Sequence, residues 1–294
     1  MFKFSRLSYK KQRKVIILLF LLVPIVLLIT FSYWPLEKMF VYSFYKWNGF
    51  SKHKEFIGLN NYIKIFTEPK YFSVFKVSLY YLVGSFIQMP LALYFATILS
   101  FKIRGKNFFK GVIFFPYLLN GVAVGFIFLY FFKPDGTLDT LLGALGLNQL
   151  IQKWIGNPDI VNFSLAGSSV WRYIGFSFLT FLGAIQSIPS DIYEAAEIDG
   201  AGRWAQFRYI IFPSIKRIVE LNFILSIKGA ISVFEVPYIM TQGANGTKTF
   251  VIQTVDAAFK YSKFGLGSAM AVILLIIVVI ASLIQNFIFK DREM

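Results

Sequence analysis

Six long apolar stretches separated by polar segments dominate this sequence of 294 residues. Each is about as long as the roughly 20 apolar residues that a helix needs to cross a bilayer. Backbone donors and acceptors cannot stay unpaired in hydrocarbon, and the sequence lacks the alternation of barrel strands, so we expect six helices. The sequence therefore predicts an all-α membrane protein with six transmembrane helices. The stretches are residues 15–34, 73–99, 108–132, 164–186, 214–240 and 264–289.

The distribution of Lys and Arg predicts the orientation of these helices. An even number of spans places both termini on one side, together with segments 100–110 and 187–217. Lys and Arg are about twice as dense there as in the opposite loops, and such an excess marks the cytoplasmic side. We therefore expect both termini in the cytoplasm. Cytoplasmic loops and their attraction to anionic lipid account for much of the net charge of +15.

Residue types that carry catalysis or bind metals are scarce. The chain has no cysteine, and its single histidine, His53, lies in a charged loop without partners at metal-binding spacing. The sequence contains no G-x-x-x-x-G-K-S/T phosphate loop and neither G-x-S-x-G nor H-E-x-x-H. We therefore expect no enzyme activity, no catalytic residue, no metal and no cofactor in this chain. Active transport would need an ion gradient or a separate ATPase.

A polar segment, residues 187–213, interrupts two apolar stretches on the cytoplasmic side. Asp191 predicts an N-cap, Glu194 three residues later completes a capping box, and Gly200 predicts the C-terminal stop. The pattern therefore predicts a helix over 192–199, too short to be stable without packing.

A second, amphipathic run follows this short helix. It contains Arg203, Trp204, Phe207 and Arg208, and we expect it to end at Pro213.

This segment resembles the EAA loop of binding-protein-dependent ABC importer permeases. That motif has Glu-Ala-Ala, a glycine four residues after the second alanine, an isoleucine ten residues after the glycine, and then Leu-Pro, where this chain has Phe212 for the leucine. The resemblance implies that the loop helix docks in a cleft of an ATPase, with Glu194 making the polar contact and Gly200 forming the turn. The coupling residues it implies are Glu194, Ala195, Ala196, Asp199, Gly200, Ala201, Phe207, Ile210 and Pro213.

Other short motifs resemble the carbohydrate-uptake branch of the same family and follow its order. They are F-I-G-L-N-N-Y at 56–62, F-P-Y at 115–117, P-D-G at 134–136, W-R-Y at 171–173 and I-P at 188–189. One departure is T-Q-G-A-N-G at 241–246, after the fifth span, where the family often has Gly-Gly-Pro. Because the motifs extend over nearly the entire chain, the resemblance is specific.

The resemblance implies the type I ABC importer permease fold in a bacterial cytoplasmic membrane. It also implies three kinds of partner: a second homologous permease subunit, two cytoplasmic ATPase subunits that bind ATP and Mg, and an extracytoplasmic binding protein that delivers an oligosaccharide or glycoside. Residues 1–72 would hold a tail, the first helix and an outer segment. Residues 73–289 would form the core of five helices with the coupling loop at 187–213, and 290–294 a cytoplasmic tail.

Polar residues inside the spans predict the substrate path, because such residues are costly in lipid and tend to face a cavity or another helix. Lys228 and Glu235 are seven residues apart, on nearly one helical face with Ser232 between them. We expect them either to line the path or to pair with the second subunit. Gly121 and Gly125 form a small-xxx-small pattern that is typical of close helix packing. The predicted path residues are Tyr117, Asn120, Tyr130, Lys228, Ser232 and Glu235.

Two other functions are compatible with a chain of this composition. An ion-gradient-driven secondary transporter would bind ions with intramembrane carboxylates such as Glu220 and Glu235. Such transporters usually repeat their hydropathy pattern between halves, and no such repeat is visible here. A membrane-embedded enzyme would need a nucleophile, metal ligands or an acid and base pair, which scattered carboxylates and one loop histidine do not supply. The secondary transporter is therefore the main alternative to the importer.

Overall fold

The computed structural model describes residues 8–101 and 103–290, and these are mostly helical. The prediction of a helical protein is therefore confirmed, while the terminal part of the predicted cytoplasmic tail, from residue 291, lies outside the described residues. The helices are α1 (Tyr9–Leu28), α2 (Trp34–Tyr42), α3 (Asn60–Thr67), α4 (Phe75–Ser100), α5 (Lys106–Leu118), α6 (Gly121–Phe132), α7 (Thr137–Ala144), α8 (Val161–Gln186), α9 (Ser190–Ile198), α10 (Arg203–Gln206), α11 (Phe212–Ile231), α12 (Glu235–Thr241), α13 (Phe250–Val255) and α14 (Phe264–Lys290). Strands β1 (Tyr45–Lys46) and β2 (Glu55–Phe56) form an antiparallel hairpin. Short 3-10 turns lie at Pro69–Tyr71 and Asn148–Leu150, and π-turns at Ile29–Tyr33, Phe207–Ile211 and Asp256–Lys260.

Within the described residues, four helical segments are long and apolar enough to cross a membrane. A fifth is added if the bent pair of α5 and α6 counts as one span. Helix α8 has 26 residues but is not among them, because it carries several polar residues, including Asn162, Ser168 and Arg172. The four segments are Tyr9–Tyr42, Pro69–Ser100, Arg203–Thr241 and Phe264–Phe287.

The third predicted span is not one helix. Helices α5 and α6 meet at an angle of 99° across a break at Leu119 and Asn120. Leu119 has extended backbone, and the Asn120 side chain accepts a hydrogen bond of 2.8 Å from the backbone N–H of Val122. Asn120 therefore caps the start of α6, which is why the continuous helix predicted over 108–132 is wrong.

The fifth predicted span differs at both of its ends. The helix begins at Arg203 rather than at residue 214, and it is interrupted between Ile231 and Glu235. Ser232 is the C-cap of α11, and Glu235 is the first residue of α12. The spacing of Lys228 and Glu235 predicts that they share one face of a continuous helix. Because the helix is interrupted between them, this prediction is wrong.

Pro213 does not end a helix, contrary to the prediction, because a π-turn lies directly before it. A proline ring clashes with the carbonyl four residues earlier, which is that of Tyr209. Tyr209 lies within the π-turn Phe207–Ile211, where the wider backbone relieves the clash. The same arrangement occurs before Pro35, whose preceding π-turn lets the first helical segment run without interruption from Tyr9 to Tyr42.

The chain forms two compact units. The first comprises the residues up to Thr67 together with Thr254–Ile273, and the second comprises Glu68–Gln253 with the chain from Leu274 onward.

In the first unit, the hairpin packs on the start of α14. The rings of Tyr42 and Trp47 contact that of Phe264, and the N–H of Gly265 donates to the Trp47 carbonyl at 3.1 Å. Asn61 fastens α3 to this region by donating to the carbonyl of Ser43 at 2.8 Å.

In the second unit, α4 and α8 pack side by side and run parallel. Tyr80 contacts Phe163 with ring centroids 5.0 Å apart, and eight residues further along α4 the Gln88 amide donates to the Ser177 hydroxyl at 2.8 Å. The contacts therefore advance in the same direction along both helices.

Helices α11 and α12 run antiparallel to α8. Asn222 contacts Thr180 at 3.0 Å, while Glu235, later in the chain, contacts Arg172, which comes earlier in α8. Two apolar clusters hold these helices together. One gathers the C-terminal ends of α4 and α8 with Ile211 and Ile215, and the other gathers their N-terminal ends with α6 and α12.

Close packing of α5 on α8 depends on Gly175, where an added Cβ would lie 2.8 Å from the Ile113 carbonyl oxygen. Gly175→Ala should destabilise the protein by about 1–3 kcal/mol, because α5 must move away. Gly167→Ala, on the same helix, meets no atom within 4 Å and is the matched control. Melting temperatures in mild detergent compare the two variants. Equal melting temperatures would contradict the packing of α5 against α8.

Candidate functional site

Two regions of the second unit carry functional features: the loop after α8, and a cavity lined by α4, α5, α8, α11 and α12. Helix α8 connects them, because its middle lines the cavity and its C-terminal end leads through Pro189 directly into α9.

The short loop helix α9 ends as the sequence predicts. Gly200 has a left-handed backbone, with φ of +78°. Its N–H donates to the Glu197 carbonyl at 3.1 Å, and the N–H of Ala201 donates to the Ala196 carbonyl at 2.8 Å. These two bonds form the Schellman motif, which pairs the last carbonyls of a helix and favours glycine at this position.

The start of α9 differs from the prediction. The helix begins at Ser190 with Pro189 as its N-cap residue, and no side chain caps it. Asp191 lies within the first turn, where its negative charge still favours the positive end of the helix dipole. The predicted capping box between Asp191 and Glu194 is therefore wrong, and the helix spans 190–198 rather than 192–199.

The loop presents an exposed surface that combines carboxylates with large apolar side chains. No residue of α9 is buried, and Glu194, Ala195, Asp199 and Gly200 are exposed. Ile198 is 87% exposed, and Trp204 and Tyr209 are 73% and 78% exposed. Among the described parts of a single subunit, nothing covers these apolar groups, and such patches mark protein interaction surfaces.

The other predicted coupling residues lie at the inner edge of this surface. Ala196, Ala201, Phe207 and Ile210 are half-buried, and Pro213 is exposed.

Tyr193 anchors α9 from its opposite side by packing on the apolar cluster at the C-terminal ends of α4 and α8. Its hydroxyl is buried without a hydrogen-bond partner among the described residues. Burial raises the pKa of Tyr193, so the hydroxyl stays protonated in the physiological range.

The cavity in the same unit has a volume of about 520 Å³. Polar side chains and aromatic rings share its wall, including Gln88 on α4, Tyr117 on α5, and Tyr173 and Phe176 on α8. The full lining is Tyr81, Ser85, Gln88, Tyr117, Ala166, Ser169, Val170, Arg172, Tyr173, Phe176, Ser177, Asn222, Leu225, Ser226, Gly229, Ala230, Ser232, Val233, Phe234, Glu235 and Val236.

An ion pair crosses the cavity wall. Nη1 of Arg172 lies 2.7 Å from Oε2 of Glu235, within hydrogen-bond distance, and it joins α8 to the first residue of α12. The Arg172 side chain is 13% exposed and that of Glu235 is 48% exposed, so the carboxylate is the more open of the two groups.

Two glycines of α6 make room for this arrangement. An added Cβ at Gly121 would overlap the Glu235 carboxylate and approach Arg172, and one at Gly125 would lie 2.8 Å from Ile239 Cβ. Their small-xxx-small pattern therefore packs α6 closely against α12, as the sequence suggested.

Three polar atoms of the lining are buried and have no partner within the described residues. They are the hydroxyls of Tyr81 and Ser169 and Nε of Arg172. Buried polar groups almost always bond to protein, water or ligand. Because the atoms themselves are buried, a solute in the cavity reaches them only after a movement of the wall.

The predicted path residues divide into two groups. Tyr117, Ser232 and Glu235 line the cavity. Asn120 instead caps α6, and Lys228 is exposed on α11. Tyr130 lies at a separate, more open pocket beside Lys133 and Thr137. Within this chain, the partner of Glu235 is Arg172.

Several lining residues were absent from the predicted set, although the sequence carried a signal for them. From the sequence, Arg172 was noted only as part of the W-R-Y motif. Gln88 and Asn222 are isolated amides in apolar stretches, which is the same signal that led to Lys228 and Glu235.

Comparison with known proteins decides the family. The family model described as "Binding-protein-dependent transport system inner membrane component" matches residues 88–293. The chain belongs to this family. It is therefore an inner-membrane permease component of a transport system, in which ATP hydrolysis belongs to separate subunits. The family membership predicted from the EAA loop is confirmed.

Similar proteins extend over the whole chain. The probable ABC transporter permease protein YurN of Bacillus subtilis is 34% identical, covering 96% of this chain and 98% of that protein. The multiple sugar-binding transport system permease protein MsmF of Streptococcus mutans is 31% identical, covering 93% and 95%. A permease chain in the crystal structure of a bacterial alginate ABC transporter with its alginate-pentasaccharide-bound periplasmic protein matches with a TM-score of 0.83 at 17% identity, covering 98% and 99%. This likeness shows the type I ABC importer permease fold.

The left-handed backbone at Gly200 gives a sharp prediction for the loop. Gly200→Val should reduce transport strongly while membrane insertion continues, because a β-branched residue disfavours this conformation by about 1–2 kcal/mol. Gly200→Asn should retain most transport, since asparagine tolerates this region.

The matched control is Gly202→Val. Gly202 has an ordinary φ of −68°, and, like Gly200, it has no atom within 4 Å of an added Cβ. Uptake per amount of inserted protein is the measurement, and equal losses at both positions would contradict a role for the Gly200 turn.

Proposed function

We propose that this chain is one of two permease subunits in an ATP-driven importer of sugars, oligosaccharides or glycosides. A binding protein outside the membrane delivers the solute, a second permease subunit completes the path, and two cytoplasmic ATPase subunits drive transport. ATP and Mg bind to the ATPase subunits and not to this chain. The substrate class follows from similar proteins, one described as a multiple sugar-binding transport system permease and another as part of an alginate transporter.

The observation that carries the proposal is the cavity and its direct helical connection to the loop. A volume of about 520 Å³ lies within the range of roughly 300–1,000 Å³ that is usual for small-ligand sites. Tyr117, Tyr173 and Phe176 offer ring faces, and Ser169 and Gln88 offer hydroxyl and amide groups. Sugars present both apolar ring faces and many hydroxyls, so a wall with these two kinds of group suits them.

The parallel arrangement of α4 and α8 supports six spans. If both helices cross the membrane in the same direction, the chain between them must cross once in the opposite direction. The bent pair α5 and α6 is the candidate in this interval, so we assign it as one broken span rather than a re-entrant loop.

Successive spans cross the membrane in opposite directions, and this rule orients the remaining helices. Helices α11 and α12 run opposite to α8, and α1 and α14 supply the first and sixth crossings. With the basic loops in the cytoplasm, both termini are cytoplasmic. The division into residues 1–72, the core at 73–289 and a terminal tail at 290–294 belongs to this proposal.

We assign the loop at 187–213 as the contact with the ATPase subunits. Glu194 supplies a polar contact, Gly200 fixes the direction of the chain, and the exposed apolar groups nearby supply buried area. Because α8 leads through one proline into α9, a displacement of α9 moves α8 as a rigid body and alters the cavity. The coupling set is Glu194, Ala195, Ala196, Asp199, Gly200, Ala201, Phe207, Ile210 and Pro213.

Within the proposed solute path, Tyr117, Ser232 and Glu235 contact the solute. The exposed Lys228 lies in the fifth span, where lipid would be a costly neighbour, so we assign it to the contact with the second permease subunit.

Purification of the tagged chain in mild detergent tests the proposal. Mass spectrometry should identify a second multi-span subunit and a soluble ATPase in stoichiometric amounts. Glu194→Arg should lose the ATPase and keep the second permease, because the reversed charge lies on the exposed face of α9.

Glu55→Arg in the β2 strand makes the same charge change at another exposed position and should keep both partners. A chain that purifies alone or only with copies of itself would contradict the importer and favour the ion-gradient-driven transporter.

A further inference from the structure

The cavity contains one cation and one anion among the described residues that line it, Arg172 and Glu235. They form the 2.7 Å ion pair, so the wall carries no net charge. The remaining polar side chains of the lining are hydroxyls and amides, together with tyrosines.

The two charges come from separate elements whose positions depend on each other. Arg172 lies in the middle of α8, whereas Glu235 begins α12 after the interruption at Ser232–Phe234. Gly121 in α6 leaves the space that the carboxylate occupies. Three helices therefore hold the pair in one geometry, and neither charge reaches the cavity without its counterion.

Loss of either partner would change the field inside the cavity. Arg172 is largely buried, and an unpaired guanidinium in low dielectric attracts anions far more strongly than one in water. An unpaired carboxylate at residue 235 would attract cations in the same way. The pair cancels both effects, while the Glu235 side chain, which is 48% exposed, remains open to a solute in the cavity.

We propose that the Arg172–Glu235 pair is the charge filter of this cavity. It keeps the wall neutral, so that the cavity accepts an uncharged, hydroxyl-rich saccharide and gives no advantage to an anionic one such as a uronic-acid polymer. Glu235 is the specificity-determining residue, because its charge masks the guanidinium. The saccharide part of this inference rests on the proposed function, whereas the neutrality of the cavity does not.

The absence of cysteine from the chain allows a direct measurement of charge in the cavity. Ser232→Cys places one thiol in the wall, three residues before Glu235. In the purified complex, the thiol is labelled by two reagents of similar size, the anionic sulfonatoethyl and the cationic trimethylammonioethyl methanethiosulfonate. Mass spectrometry of this chain gives the two rates, with the cysteine-free chain as the blank. The ratio of the anionic to the cationic rate is divided by the same ratio at Gln149→Cys, an exposed position whose neighbours in the sequence are uncharged.

The normalised ratio should be near one when the ion pair is intact. Glu235→Gln keeps the side-chain shape and should raise it about fivefold or more, which is the effect of one unit charge near the reagent even in a water-like dielectric. Arg172→Gln should lower the ratio by a similar factor. The double variant Arg172→Gln/Glu235→Gln should return the ratio to near one. That result would show that charge, and not altered access of the reagents to the thiol, causes the shifts in the single variants.

An unchanged ratio in both single variants would overturn the proposal, and so would a wild-type ratio that already favours the anionic reagent fivefold. A double variant that stays as shifted as one of the single variants would also overturn it, since misfolding rather than charge would then explain the shift. Failure of the proposed function would give a different result from failure of this inference. It would appear as the absence of an ATPase partner, whereas the labelling ratio requires no transport and no identified sugar.

Discussion

The packing of α8 against its neighbours is the interaction on which the rest of the second unit depends. Helix α4 runs parallel to it and is fastened by the Gln88 amide, which donates to the Tyr173 carbonyl at 2.9 Å and to the Ser177 hydroxyl at 2.8 Å. Helix α5 approaches it closely at Gly175, and the Thr180 and Asn222 side chains join it to α11. These polar contacts lie within apolar helices, where an unmatched donor or acceptor is costly. They therefore specify one arrangement of the helices.

The same helix explains why a polar cavity can exist in an apolar protein. Helix α8 carries several polar residues, and it contributes Ser169, Arg172 and Ser177 to the lining. The break at Ser232–Phe234 forms part of the cavity wall, and the break at Leu119–Asn120 lies just before Gly121, beside the ion pair. Irregular backbone at membrane depth is tolerated where it lines a cavity or is buried in protein. The break at Ser232–Phe234 therefore belongs to the site, and it directly precedes Glu235 of the ion pair.

The sequence predicted a helical membrane protein, its family and the end of the loop helix, because each of these depends on local patterns. Gly200 is an example, since a left-handed turn after a short helix needs only neighbouring residues. The start of α9 was mispredicted because Asp191 and Pro189 are both plausible boundary residues, and the proline took the N-cap position. The pairing of Glu235 with Arg172 could not be predicted, because the two residues are 63 positions apart and meet only through the antiparallel packing of α12 on α8. The break at Asn120 was missed because the apolar pattern continues across it, while a single side-chain cap is enough to redirect the chain.

We propose that movement of α9 by ATPase subunits changes access to the cavity through α8. The most direct measurement is the labelling rate of a single cysteine at position 232 by the anionic methanethiosulfonate, in the purified complex with and without ATP and Mg. We predict a severalfold change in rate when nucleotide is added, because closure of the ATPase subunits shifts α8 and the cavity wall. The same rate under both conditions, in a complex that retains its ATPase subunits, would contradict the claim.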